Sequence, residues 1–215
     1  MTNIGVFDSG VGGLSVVNAI KKSIPSARIE YVEDRENLPY GNKTPDQLYN
    51  LSLPILNKLS KNNDAIVIAC NTLTTNCIER LRSALPVPLI GMEPMVKPAA
   101  EQTKTKVIAV CATPATLASQ RYAWLRNTYA KGVEVIEPDC SDWTAMIEGN
   151  TVDRDNIRER IDNVCDRGAD VIVLGCTHYH WIEDIVREEA KGRATVIQPI
   201  QPVITQLKRV LKLPD

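Results

Sequence analysis

The sequence predicts an α/β fold of two similar open-sheet α/β halves, related by a pseudo-two-fold duplication and sharing an active site between them. The first observation is a pair of near-copies, Asp64-Ala65-Ile66-Val67-Ile68-Ala69-Cys70-Asn71-Thr72 and Ala169-Asp170-Val171-Ile172-Val173-Leu174-Gly175-Cys176-Thr177-His178. Each runs from an acidic residue beside Ala through apolar, β-branched residues to a cysteine followed closely by threonine. That is the pattern of a buried parallel strand whose carboxyl end lies where open α/β sheets hold ligands. The second observation is spacing: Ile4-Gly5-Val6-Phe7 recurs as Val107-Ile108-Ala109-Val110 at an offset of 103, Asp34 as Asp139 at 105, and Cys70 as Cys176 at 106. A near-constant offset over three strands points to duplication of a unit of ordinary domain size. The third is composition, since 215 residues with 44% hydrophobic content can bury one or two cores without disulfides or metals. The expected division is 1–92, joined by 198–215, against 93–197.

Taken in order, the strand Ile4 to Phe7 runs into Asp8-Ser9-Gly10-Val11-Gly12-Gly13-Leu14 and a helix from Leu14 to Lys22. Three glycines there permit a tight turn with free backbone N–H groups, suited either to a carboxylate ligand or to a purely structural corner. No Gly-Lys-Ser/Thr follows, and Ser15 stands where a dinucleotide fingerprint needs its last glycine. Asp8 could orient or deprotonate a neighbour, or simply cap the turn. The strand Arg28 to Glu33 leads to Asp34 and then to the rigid turn Pro39-Tyr40-Gly41. Thr44-Pro45 reads as N-cap and first turn of a helix reaching Leu59, with Pro54 expected to kink it. The third strand delivers Cys70 to the start of a helix from Leu73 to Leu85, where the macrodipole should favour thiolate.

The proline-rich stretch Pro86 to Pro94 closes the first half with a short strand and a stiff junction. The second half opens with the strand Lys106 to Val110, then Thr113 as cap and Pro114 as first residue of a helix bearing Ser119 and Tyr122. There follow the strand Val133 to Ile136, a short helix ending near Glu148-Gly149, an amphipathic helix Asp153 to Arg167, the strand Val171 to Leu174, and a last helix Val203 to Leu211.

A net charge of -1, few aromatics and no basic block give no footprint for nucleic acid or an acidic membrane surface. Met1-Thr2-Asn3 enters a strand without the pattern of a signal peptide, and no apolar run approaches membrane-spanning length, so a cytoplasmic chain is expected. In that reducing setting the six cysteines are not a disulfide framework, and no Cys-x-x-Cys pair is present. Cys77, Cys111, Cys140 and Cys165 read as small core residues, whereas Cys70 and Cys176 each sit where a strand stops. Two thiols on equivalent strands suggest two-sided chemistry on one substrate. A rival reading takes Cys176, His178 and His180 as metal ligands sharing one face of an extended segment, which would leave Cys70 unexplained.

The sequence resembles the glutamate racemases of the cofactor-independent aspartate/glutamate racemase superfamily. The resemblance rests on Phe7-Asp8-Ser9-Gly10-Val11-Gly12-Gly13-Leu14, Asp34 with Pro39-Tyr40-Gly41, Ala69-Cys70-Asn71-Thr72, the spaced Thr113, Thr116, Ser119 and Tyr122, Cys140 with Glu148, and Gly175-Cys176-Thr177-His178-Tyr179. It implies racemisation of glutamate at the α-carbon for peptidoglycan, without pyridoxal phosphate or metal, in a family that is often dimeric. It makes Cys70 and Cys176 the two bases, Asp8 and Glu148 auxiliary acids, and His178 the partner of Cys176. It assigns Ser9, Asp34, Pro39, Tyr40, Gly41, Asn71, Thr72, Thr113, Thr116 and Thr177 to the substrate site.

The chemistry of these residues agrees. Removing a weakly acidic α-proton from one face and returning one to the other needs a thiolate opposite a thiol, with roles that swap with direction. Hydroxyl and amide donors at Ser9, Asn71, Thr72 and Thr177 suit the developing negative charge. The chain departs from the family in having His180 where a proline is usual, in Ile197-Gln198-Pro199-Ile200 where an Asp-Ser pair is common, and in running only to Asp215, where altered domain closure is expected. Glutamate and aspartate are not separated by any Arg or Lys cluster in the motifs. A weakened relative that only binds an amino acid or a protein stands as the alternative to an active racemase.

Overall fold

The computed structural model describes residues 2–214. The first half contains β1 (Asn3–Asp8), α1 (Gly13–Ser23), β2 (Arg28–Glu33), α2 (Pro45–Ser60), β3 (Ala65–Ile68), α3 (Asn71–Ala84) and β4 (Leu89–Gly91). Then come α4 (Val96–Gln102), β5 (Val107–Cys111), α5 (Pro114–Leu117), α6 (Gln120–Tyr129), β6 (Glu134–Ile136), α7 (Trp143–Glu148), α8 (Arg154–Asp166), β7 (Val171–Leu174), α9 (Glu183–Ala190), β8 (Thr195–Ile197) and α10 (Ile200–Val210). Two four-stranded parallel sheets result, ordered β2-β1-β3-β4 and β6-β5-β7-β8. The strand order reverses between β1 and β3 in one sheet and between β5 and β7 in the other. Cys70 and Cys176 follow β3 and β7, so both lie at such a reversal, where a crevice opens beyond the strand ends.

Both faces of each sheet are covered, which explains why β3 and β7 are buried at every position. Ile66 and Ile68 point to the layer of α2 and α3, and Ala65 and Val67 to the layer of α1 and α10. In the second sheet Ile172 and Leu174 face α7, α8 and α9, while Val171 and Val173 face α4 and α6. The helices that follow the last strands are exchanged between halves. Val96 and Ala99 of α4, which follows β4, pack under the second sheet, and Val203, Ile204 and Leu207 of α10, which follows β8, pack under the first.

The duplication holds with a corrected register. Ile4 pairs with Ala65 in the way Ile108 pairs with Val171, so β1 and β5 correspond at an offset of 104, not 103. Ile29 and Val135 likewise correspond at 106, not 105. β1 and β5 are buried on both faces and carry no polar alternation to fix their alignment, so a one-residue slip between them is invisible in the sequence. Thr44 is the expected N-cap, here completed to a capping box by Gln47, and α2 runs on through Pro54 to Ser60. The single helix expected after Pro114 is broken in two, because Ser119 is extended and caps α6 by accepting from Tyr122 N.

Candidate active site

Cys70 sits on an N-cap. Its Sγ accepts from Leu73 N at 3.5 Å, and Ser9 Oγ donates to it at 3.6 Å. The expectation that the helix terminus makes it a ready thiolate fails here. Burial comes first, with the charge of Asp8 behind it, and together they push the Cys70 thiol up to about 12 despite the two donors. Cys70 therefore rests as a thiol.

Asp8, at the end of β1, is fully buried and takes hydrogen bonds from the backbone N–H groups of Ser9 and Gly13 and from Thr177 Oγ1 at 3.2 and 3.3 Å. It thus caps its own turn and also reaches into the second half. Burial raises its carboxyl to about 6, a shift that His178 and the backbone donors limit.

Cys176 is served differently. The residues after it form a 3-10 turn, Thr177–Ile182, in place of the extended segment that a shared face for Cys176, His178 and His180 would require. His178 Nδ1 lies 3.8 Å from Cys176 Sγ, and its Nε2 lies 2.6 Å from Glu148 Oε1. Burial opposes a charged imidazole at His178, yet Cys176, Asp8 and Glu148 outweigh it and push the group up to about 10. Glu148 is held below the usual carboxylate range: burial works against ionisation, but His178, the Val11 N–H and Arg35 prevail. His180 turns the other way, its Nδ1 lying 3.2 Å from Ser15 Oγ, and burial together with the nearby His178 lowers it to about 4.

The glycine turn explains how the halves come so close. Val11 N donates to Glu148 Oε1 at 3.0 Å, so the anion that this turn receives is a carboxylate of the protein itself. A Cβ at Gly10 would run into Glu148 Oε1 and His178 Nε2, and one at Gly12 would lie 2.7 Å from His178 N. These positions need glycine for close approach across the site.

The remaining predicted site residues form a second bridge between the halves. Thr72 Oγ1 is 2.8 Å from Thr113 Oγ1 and 3.3 Å from Thr116 Oγ1, and Thr113 donates to Thr116 at 3.0 Å. Gly41 packs on Thr113, where an added Cβ would lie 3.0 Å from its Cβ. Tyr40, following Pro39, donates to Asp34 Oδ2 at 2.7 Å, and Asn37 Nδ2 donates to both Asp34 oxygens, so Asp34 pins this loop. Asn71, beside Cys70, is buried with neither its amide nitrogen nor its oxygen partnered. An unpaired buried amide next to a reactive thiol suits the carboxylate and ammonium groups of an amino acid. Ser119 and Tyr122 are turned away, Tyr122 bonding Glu137 at 2.8 Å.

Arg35 and Ser15 were missed as site neighbours by sequence reasoning. Each owes its place to a contact more than a hundred residues away in the chain, which no local pattern signals.

The Asp/Glu/Hydantoin racemase family model matches residues 12–207. The chain belongs to this family. Its members are isomerases, and this chain is an enzyme of that class. The chain is 39% identical over 214 residues to a glutamate racemase of Methylococcus capsulatus, covering 97% of this chain and 79% of that protein. Among solved structures it is similar to Escherichia coli glutamate racemase in complex with L-glutamate and the activator UDP-MurNAc-ala, with a TM-score of 0.88 and 25% identity over 100% of this chain and 84% of that one. It is also similar to a glutamate racemase from Francisella tularensis in complex with D-glutamate, with a TM-score of 0.81 and 29% identity over 98% of this chain and 81% of that one. Among the described residues no helix is long and apolar enough to cross a membrane.

Proposed function

We propose that this enzyme interconverts L- and D-glutamate by a two-base mechanism in which Cys70 and Cys176 work on opposite faces of the α-carbon, and that it supplies D-glutamate for peptidoglycan in the cytoplasm. The observation that carries this is the equivalent placement of the two thiols, each after the strand that borders the reversal of its own sheet. Similarity to relatives named glutamate racemase supports glutamate as the substrate. The catalytic unit is residues 1–92 with 198–215 facing 93–197.

In the direction that begins at Cys176, its sulfur takes the α-proton while Cys70, resting as a thiol, delivers one from the other face. His178, backed by Glu148, holds or returns a proton beside Cys176. In the reverse direction Cys70 must first lose its proton, and buried Asp8, raised to about 6, supplies a nearby carboxylate at neutral pH. The unpartnered Asn71 amide offers a donor to the substrate carboxylate as negative charge builds at the α-carbon, and the hydroxyls of Thr72, Ser9 and Thr177 join it by turning from Thr113, Cys70 and Asp8.

The test is incubation with L-glutamate in D2O without added cofactor, following α-deuterium and optical rotation for the parent, Cys70→Ala and Cys176→Ala. Deuterium entry with racemisation in the parent, lost in either variant, is the expected result. Activity with aspartate alone would change the substrate, and silence with both would move the chain to the binding-only reading.

A further inference from the structure

The two carboxylate oxygens of Glu148 are divided between partners. Oε1 takes the Val11 N–H at 3.0 Å and faces His178 Nε2 at 2.6 Å, while Oε2 accepts from Arg35 Nη2 at 3.0 Å. Arg35 comes from the first half, in the short 3-10 turn Arg35–Asn37 directly after Asp34, and Glu148 ends α7 in the second. The loop carrying Arg35 is fixed from behind by the Asp34–Tyr40 and Asp34–Asn37 bonds, and Glu33 lies 3.9 Å from the guanidinium. We propose that Arg35 is a positioning residue for the Cys176 side of the site: it fixes the carboxylate that orients His178 against Cys176, and so couples proton handling at Cys176 to apposition of the two halves. The proposal rests on the racemase reading and adds a residue to it.

A purely structural ion pair would behave otherwise. The Arg35 side chain is 53% exposed, and exposed pairs of this kind add little to folding stability. Its effect is directed at one acid. Around Glu148 the titratable and charged groups are Arg35 and Glu33 from the β2 end, Tyr31 on β2, Asp8 at the end of β1, and His178 and His180 on the 3-10 turn. Arg35 is the cation among them that stays charged through neutral and alkaline pH. Removing a positive charge from beside the Glu148–His178 pair raises the pH at which each of its protons is lost, since both are then held more tightly.

The test compares the parent with Arg35→Met and Arg35→Lys. With only two histidines in the chain, imidazole nitrogen NMR reads His178 directly once His180→Gln has assigned the other signal. In Arg35→Met both titration steps of the pair should move up by roughly one pH unit. The acid limb of kcat/KM for glutamate should move with them, because protonated Glu148 no longer supports His178. Arg35→Lys should restore most of both shifts, and circular dichroism and Tm should stay at parent values. An unshifted titration in Arg35→Met overturns the proposal, as does a shifted titration with an unmoved acid limb. A parent silent toward glutamate sinks the racemase reading instead. In that case the titration alone decides whether Arg35 governs the pair, a shift upholding that hold and its absence overturning it.

Discussion

At the first-half corner, Cys70 caps a 14-residue helix and has for company a serine hydroxyl, one backbone N–H and the buried carboxylate of Asp8. At the second-half corner, Cys176 opens a 3-10 turn and is followed by a histidine–glutamate relay whose carboxylate is gripped from the other half. The strands beneath are equivalent, and the chemistry laid on them is not. Duplication set two sulfurs at matching strand ends. The loops that follow differ, and each sulfur has its own ionisable neighbour, Asp8 for one and His178 for the other.

The comparison breaks most completely if one thiol proves dispensable. Cys70→Ala and Cys176→Ala should each lower racemisation by about 10³-fold or more, the upper range of a general acid–base contribution, and polarimetry with either enantiomer measures this. A smaller loss in one variant would mean that the two corners are not both bases. Gly10→Ala puts a Cβ of the first half against Glu148 Oε1 and His178 Nε2. It should reduce kcat by about 10²-fold through the Cys176 corner while leaving Cys70 alkylation kinetics at the parent rate.

His178→Asn against Ser9→Ala sharpens the contrast directly. Loss of the histidine should cost about 10²-fold in kcat/KM, and loss of the hydroxyl only about fivefold, the worth of one ordinary hydrogen bond. Steady-state kinetics of both variants in one buffer would expose a symmetrical site if the losses were equal.

Asp8→Asn separates function from stability. Folding raises this carboxyl from 3.8 to about 6, so the folded state holds its proton more tightly than the unfolded chain, and stability falls as pH rises between those values and is level above them. The variant should therefore lose activity yet gain up to roughly 3 kcal/mol in urea unfolding above pH 6, with the gain vanishing below about pH 4. A variant less stable than the parent at pH 8 would show that the hydrogen bonds to Ser9, Gly13 and Thr177 outweigh burial of the charge.

Much of this was legible in the sequence. The runs ending at Cys70 and Cys176 announced buried parallel strands by their β-branched content, and Thr44-Pro45 announced a helix start by capping chemistry, because both are local preferences of the chain. Gly10 and Gly12 were visible as a turn. Their reason was not, since the atoms they make room for, on Glu148, Thr177 and His178, arrive from the other half. The register of β1 against β5 slipped by one because a strand buried on both faces offers no alternation to read. The resting thiol of Cys70 escaped a reading based on helix dipoles, since the sequence shows the dipole and only packing shows the burial that overrides it.

By itself the sequence determined the strand and helix types, the duplication and the two cysteines, for these follow from side-chain pattern and backbone preference over a few residues. Only the tertiary structure decided which half lends Arg35 and Val11 to Glu148, which sheets α4 and α10 cover, and that burial holds the proton on Cys70. Each of those depends on groups brought together from distant parts of the chain, and on how much water remains around them.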